Sequence, residues 1–230
     1  MTTVHVSGGG IRGAFVAQCL DDMFELNPRL RPSIARASGV SAGSIVATCL
    51  ATDTSLVDSV NALSEKTFVK RKNACSSAFT VYQMWNNKAN SYYSNSLLKS
   101  ALYDLFQSKP CNISLDIGLA EARTYQAASH MFEPSERVRT DVLTASCSIP
   151  GLFEPVKINN TYFVDAGAVE EFNTASIEKS FSKDSLKLHM LFSCTPWAYG
   201  HRSNENDGSF SSFVNGLGHI AWANIKQQHF

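Results

Sequence analysis

Thr3-Val4-His5-Val6-Ser7-Gly8-Gly9-Gly10-Ile11-Arg12-Gly13 runs from a short β-branched alternation into three consecutive glycines. The alternation predicts a strand over residues 3–7, and the glycines predict a tight turn after it. Residues 14–26 then place Phe15, Val16, Cys19, Leu20, Met23 and Phe24 at helical spacing. Asn27-Pro28 and Pro32 interrupt the chain, residues 33–38 read as a second strand, and residues 39–43 form a second glycine-bounded turn. Residues 44–51 open a helix rich in small side chains. Strand, glycine turn and helix, repeated once, predict an α/β fold with a parallel sheet and covering helices.

Further along, residues 53–109 read as mainly helical, with an irregular polar–aromatic stretch over 82–93. Strands are predicted over 115–122, 124–131, 161–164 and 186–194, and a helix over 135–147 closed by Ile149-Pro150-Gly151. A polar loop over 196–209 and a terminal helix over 213–228 complete the chain. No repeat and no linker divides the 230 residues, so one domain over residues 1–230 is expected.

Three segments carry chemistry. Gly39-Val40-Ser41-Ala42-Gly43 has the G-x-S-x-G pattern between a strand and a helix. A serine on so sharp a turn needs small neighbours, and the turn presents its hydroxyl at the end of the sheet beside a helix N-terminus. Serving only as a turn with a capping serine is the plainer alternative. Gly8-Gly9-Gly10-Ile11-Arg12-Gly13 fits two functions. As G-x-G-x-x-G it would hold a dinucleotide, but the second strand ends Ala35-Arg36-Ala37-Ser38, without the carboxylate that would hold a ribose. As an oxyanion hole, its unhindered N–H groups would face a tetrahedral intermediate. A turn that merely packs strand on helix remains the third reading. Asp165-Ala166-Gly167 ends an apolar strand. Asp165 suits direct acceptance of the Ser41 proton, orientation of a histidine, or plain capping of the next turn. His189, His201, His219 and His229 follow it in the chain, and no local feature singles one out.

Composition excludes several other classes. Apolar residues make up 44% and charged residues 17%, enough apolar matter for a large core and too little charge for a disordered chain. Twenty basic and twenty acidic residues give zero net charge, which argues against a nucleic-acid partner. The cysteines Cys19, Cys49, Cys75, Cys111, Cys147 and Cys194 form no C-x-x-C pair, so zinc-ribbon and dithiol redox spacings are lacking, and free thiols are expected. No secretory leader and no bilayer-length apolar run is visible, and a cytoplasmic location is expected.

Taken together, the glycine loop, the G-x-S-x-G turn, Ala145-Ser146-Cys147-Ser148-Ile149-Pro150-Gly151-Leu152-Phe153-Glu154-Pro155-Val156 and Phe163-Val164-Asp165-Ala166-Gly167 resemble the patatin-like phospholipase family over roughly residues 4–194. The resemblance implies a three-layer α/β/α fold with a mainly parallel central sheet. It implies a lipid acyl hydrolase with a Ser–Asp dyad in which Ser41 is the nucleophile and Asp165 the general base. An oxyanion hole would be drawn from Gly8, Gly9, Gly10 and Arg12, with Gly13, Gly39, Gly43, Ala166 and Gly167 as motif positions. No metal, other cofactor or nucleotide is implied, and the partner would be a lipid substrate, met by peripheral contact at a membrane surface. Two positions depart from the family pattern: Ala166 stands where glycine is usual, and Thr174 where proline is common. If the residue after Asp165 required a positive φ, alanine there would cost about 1 kcal/mol and tilt the carboxylate. The alternatives are an esterase of small soluble esters with a Ser–Asp–His triad, or a catalytically weakened lipid-binding protein. Lys66, Lys70, Arg71 and Lys72, followed by Phe79, Tyr82, Trp85, Tyr92 and Tyr93, suit an interfacial surface. A solvated helix face followed by a packed aromatic loop is the reading favoured for them.

Overall fold

Alternation in the first residues produces strand β1 (Thr2–Val6), buried on both faces as a central parallel strand should be. The computed structural model describes residues 2–68, 94–181 and 188–192. All of these fall within one compact unit, Met1–Thr195. The basic and aromatic segment over 69–93, the terminal helix expected over 213–228, His201, His219 and His229 lie outside the described residues.

A single 3-10 turn over Gly10–Arg12 leads into α1 (Gly13–Leu26), which buries Val16, Ala17, Leu20 and Phe24. Phe15, expected on that apolar face, is instead 71% exposed. After the proline break comes one helical turn, α2 (Leu30–Ser33), then β2 (Ile34–Val40), α3 (Ala42–Ala51), α4 (Leu56–Phe68) and α5 (Ser96–Phe106). Strands β3 (Ser114–Glu121) and β4 (Ala127–Phe132) follow. Helix α6 spans only Thr140–Ser146, shorter than the predicted 135–147. Ser135 has φ 77°, a left-handed turn that no α-helix can include, and Arg137 forms a β-bridge with Pro110. The remaining elements are β5 (Val156–Ile158), β6 (Thr161–Asp165), a 3-10 turn over Ala166–Ala168, α7 (Thr174–Phe181) and β7 (Leu188–Phe192). The short β5 had no sequence signal of its own. Asn159, at φ 55° in the two-residue turn between β5 and β6, makes it the first arm of a hairpin.

The seven strands form one sheet. Strands β7, β1, β2 and β3 are mutually parallel, as the repeated strand–turn–helix pattern predicts. The β3–β4, β3–β6 and β5–β6 pairings are antiparallel, so the sheet is mixed. Val4, Val6, Ala37, Leu115, Ile117 and Leu119 face the main apolar core with Leu102, Phe106, Val142 and Leu143 from the helices. His5, Ser38 and Asp116, aligned in register across three strands, alternate with that set onto the opposite face.

One feature of the pairing positions the site. Leu115–Gly118 pair with β4 on one edge and β2 on the other, whereas Leu119 and Ala120 pair with β4 and β6. Strands β2 and β6 therefore share one edge of β3, end to end and running toward each other. Val40 lies opposite Gly118 and Asp165 opposite Leu119, adjacent positions on β3. The residue after Val40 is Ser41. Two residues far apart in sequence meet because two strands terminate at one point of a third.

Candidate active site

Ser41 has φ 54° and ψ −128°, a backbone conformation that L-residues rarely adopt and that costs about 1–3 kcal/mol. The flanking glycines show why the turn is possible. A Cβ on Gly39 would stand 2.1 Å from the Gly43 carbonyl oxygen, and one on Gly43 would stand 2.4 Å from the carbonyl oxygens of both Val6 and Ser7. Strand β2, helix α3 and strand β1 thus approach to distances that admit no side chain. Gly13 adds a close contact of α1 with Ala42, where a Cβ would sit 3.0 Å from the alanine Cβ. Ser41 stays 7% exposed, at the positive end of α3.

Asp165 ends β6 and is 3% exposed. Its Oδ1 accepts the Gly167 N–H at 2.8 Å, and its own N–H donates to the Ser148 carbonyl at 2.9 Å. Burial pushes the carboxyl up to about 7, against the lowering effects of the Ser41 hydroxyl and the Gly167 N–H. No histidine acts on it among the described residues. His5 instead bonds Ser38 through Nδ1 at 2.7 Å and stacks on His189, and burial with the charge of His189 lowers its pKa to about 4. His130 packs on Phe132.

Ala166 is fully buried in the 3-10 turn and is not among the residues with positive φ. Its replacement of glycine therefore carries no backbone strain. A Cβ on Gly167 would lie 3.0 Å from Asp165 Oδ1, so glycine at that position leaves its N–H free to reach the carboxylate. Thr174, the other departure, opens α7, and its N–H and hydroxyl both donate to Glu170 Oε2, at 3.3 and 2.5 Å. A proline could make neither bond.

The glycine loop divides its expected roles. Gly8 N–H donates to the Glu171 carbonyl at 3.2 Å, so Gly8 is not a free oxyanion donor. Its lack of a side chain serves packing, since a Cβ there would be 3.3 Å from Ser41 Cβ. Gly9 and Gly10 make no backbone N–H bond among the described residues, and Gly10 takes φ 57°. Arg12 spends its N–H on the Gly9 carbonyl, at 3.2 Å, and leaves its side chain exposed. Two adjacent N–H groups, of Gly9 and Gly10, thus stay without a backbone partner among the described residues, in the loop whose Gly8 abuts Ser41.

Residues that motif reading assigned no role complete the site. Ser146 Oγ accepts the Ser41 N–H at 3.0 Å and donates to the Gly118 carbonyl at 2.8 Å. The Ser41 carbonyl accepts from Ser44 N at 2.9 Å, Ser44 Oγ at 2.6 Å and Cys147 Sγ at 3.4 Å. Burial and the nearby Asp165 hold the Cys147 thiol protonated. A glycine within a strand, Gly118, was the one available signal. A Cβ there would meet Val40 Cγ2 at 2.7 Å.

A strained serine at a strand-to-helix turn, a buried carboxyl in reach of it and a pair of unspent N–H groups can support nucleophilic acyl transfer. Among solved structures, the chain is similar to VipD from Legionella pneumophila, with 13% identity and a TM-score of 0.49 over 74% of this chain and 46% of that one. The chain thus spans less than half the length of that protein. No curated protein matches it. The family model described as patatin-like phospholipase matches residues 5–177, which take in the glycine loop, the elbow, the 145–156 segment and Asp165. The chain belongs to the patatin-like phospholipase family.

Proposed function

We propose that this protein hydrolyses fatty-acyl esters of phospholipids through an acyl-enzyme on Ser41, with Asp165 as its general base. Ser41 Oγ attacks the ester carbonyl while its proton passes to the Asp165 carboxylate. The N–H groups of Gly9 and Gly10 donate to the oxyanion, helped by the N-terminal end of α3. As the intermediate collapses, Asp165 returns the proton to the departing alkoxide. A water molecule, deprotonated in turn by Asp165, then attacks the acyl carbon, and the proton returns to Ser41 Oγ as the fatty acid leaves. The observation that carries this reading is the end-to-end meeting of β2 and β6 on β3, which sets Ser41 beside a buried carboxyl that titrates near neutrality. Family membership supports a lipid ester as the substrate. Peripheral contact with a lipid surface belongs to the proposal. Arg12 and Phe15, exposed beside the glycine loop, suit it. Among the described residues no helix is long and apolar enough to cross a membrane.

The test is fatty-acid release from phosphatidylcholine–phosphatidylethanolamine vesicles in EDTA by the wild type and by variants with His189, His201, His219 or His229 changed to Ala. Release that survives all four changes to within about threefold is expected of a dyad. Loss in one variant would assign a triad instead, and no release by the wild type would move the substrate to soluble esters. The acid limb of kcat/KM gives a second check. Asp165 must be ionised to accept a proton, so activity should fall below a midpoint near pH 7, where burial places its carboxyl at about 7.

A further inference from the structure

The C-terminal end of α6 and the turn after it touch both members of the proposed dyad, through three consecutive residues. Ser146 holds the N–H of Ser41, Cys147 holds its carbonyl, and the Ser148 carbonyl holds the N–H of Asp165. Ser146 is the polar hinge of this arrangement. It is fully buried, and its hydroxyl is used on both sides, as acceptor from Ser41 and as donor to the Gly118 carbonyl. Gly118 in turn pairs with Val40, the residue before Ser41. The Ser146 hydroxyl therefore ties the strained residue to the strand edge on which Asp165 also lies.

We infer that Ser146 is a positioning residue for acyl transfer, holding Ser41 in the left-handed conformation that directs its hydroxyl at Asp165. The inference rests on the reading of Ser41 and Asp165 as nucleophile and base. Ser41 at φ 54° has few conformational alternatives while its N–H and carbonyl are both tied. Without the Ser146 bond, a buried N–H loses its acceptor and the peptide is free to relax toward ordinary angles. The hydroxyl then swings away from the carboxyl. Because the Ser41 hydroxyl lowers the Asp165 pKa, its departure leaves burial less opposed.

Three consequences follow for Ser146→Ala measured with p-nitrophenyl butyrate. Turnover should fall at least tenfold while KM stays within about twofold, since near-attack geometry is lost but substrate contacts are not. The acid limb of kcat/KM should move to higher pH. Labelling of Ser41 by a fluorophosphonate should slow in step with kcat. Thr144→Val is the control: its hydroxyl donates to the Thr140 carbonyl within α6, so removing it perturbs a buried position of the same helix without touching Ser41. That variant should keep the wild-type kcat and pH profile. Should Ser146→Ala fail to fold, Ser146→Cys retains the volume with a weaker acceptor, and the same three shifts are expected at smaller size. Wild-type kcat and pH profile in a folded Ser146 variant would overturn the inference. So would equal losses in Thr144→Val. Ser41→Ala, run alongside, separates the two levels. If it hydrolyses the ester as the wild type does, the nucleophile assignment falls. If it is inert while Ser146→Ala is fully active, only the positioning role falls.

Discussion

Asp165→Asn is expected to be more stable than the wild type at pH 8 and almost without turnover. Folding raises the Asp165 pKa from the ordinary 3.8 to about 7, through burial. A group raised in this way stabilises the fold fully while protonated, below about pH 4. Its contribution is lost as the pH climbs through the folded value, so at pH 8 the buried carboxylate costs roughly 4 kcal/mol. Asparagine is neutral throughout and its carbonyl can still accept the Gly167 N–H. Thermal unfolding at pH 8 should therefore shift upward by several degrees, and the gain should vanish toward pH 3.5. Activity should move the opposite way, by roughly 10³-fold or more, because among the described residues no other group acting on Ser41 can accept its proton. A variant that lost activity together with stability would mean that Asp165 holds the fold rather than serving the reaction.

Gly39→Ala is expected to do the reverse and damage both. The added methyl would stand 2.1 Å from the Gly43 oxygen, 2.3 Å from its carbonyl carbon and 2.6 Å from Ser44 N, all backbone atoms in the first turn of α3. No side-chain rotation relieves such a contact, so β2 and α3 must separate. Overpacking against backbone costs about 3 kcal/mol or more, and the displaced elbow should lower kcat at least a hundredfold. Gly10→Ala makes the comparison. Nothing lies within 4 Å of its Cβ position, and only its φ of 57° is unfavourable, so about 1 kcal/mol is expected. Denaturant midpoints for the two variants test the difference.

How legible these features are in sequence follows from their physical cause. Gly39 and Gly43 mark the elbow because close backbone approach excludes every other residue, and a restriction that absolute leaves an imprint on sequence. The parallel half of the sheet is legible for a related reason: each strand passes through a glycine turn directly into its helix. The antiparallel half is not. Val156-Lys157-Ile158 is too short to show a period, and β6 joins the site through register on β3, which no local pattern records. Ser135 broke the predicted helix through a single left-handed residue that carries no glycine to announce it. Gly8 reads as an oxyanion donor from its place in the glycine run, whereas its N–H is spent on Glu171, a partner 163 positions along the chain. Ser146 lies within the 145–156 segment, and nothing local in the sequence gives it a task. A buried serine in the last turn of a helix looks the same in sequence whether it bonds its own helix, as Thr144 does, or reaches a residue 105 positions away.

In the proposed reaction Ser41 forms the acyl-enzyme and Asp165 activates it. Its most direct test is fatty-acid release from mixed phospholipid vesicles in the presence of EDTA, comparing the wild type with Ser41→Ala. Release by the wild type that falls by 10³-fold or more in the variant, with unfolding temperatures alike, is the predicted result. Equal release by both proteins would contradict it, and the nucleophile would have to be sought elsewhere in the chain.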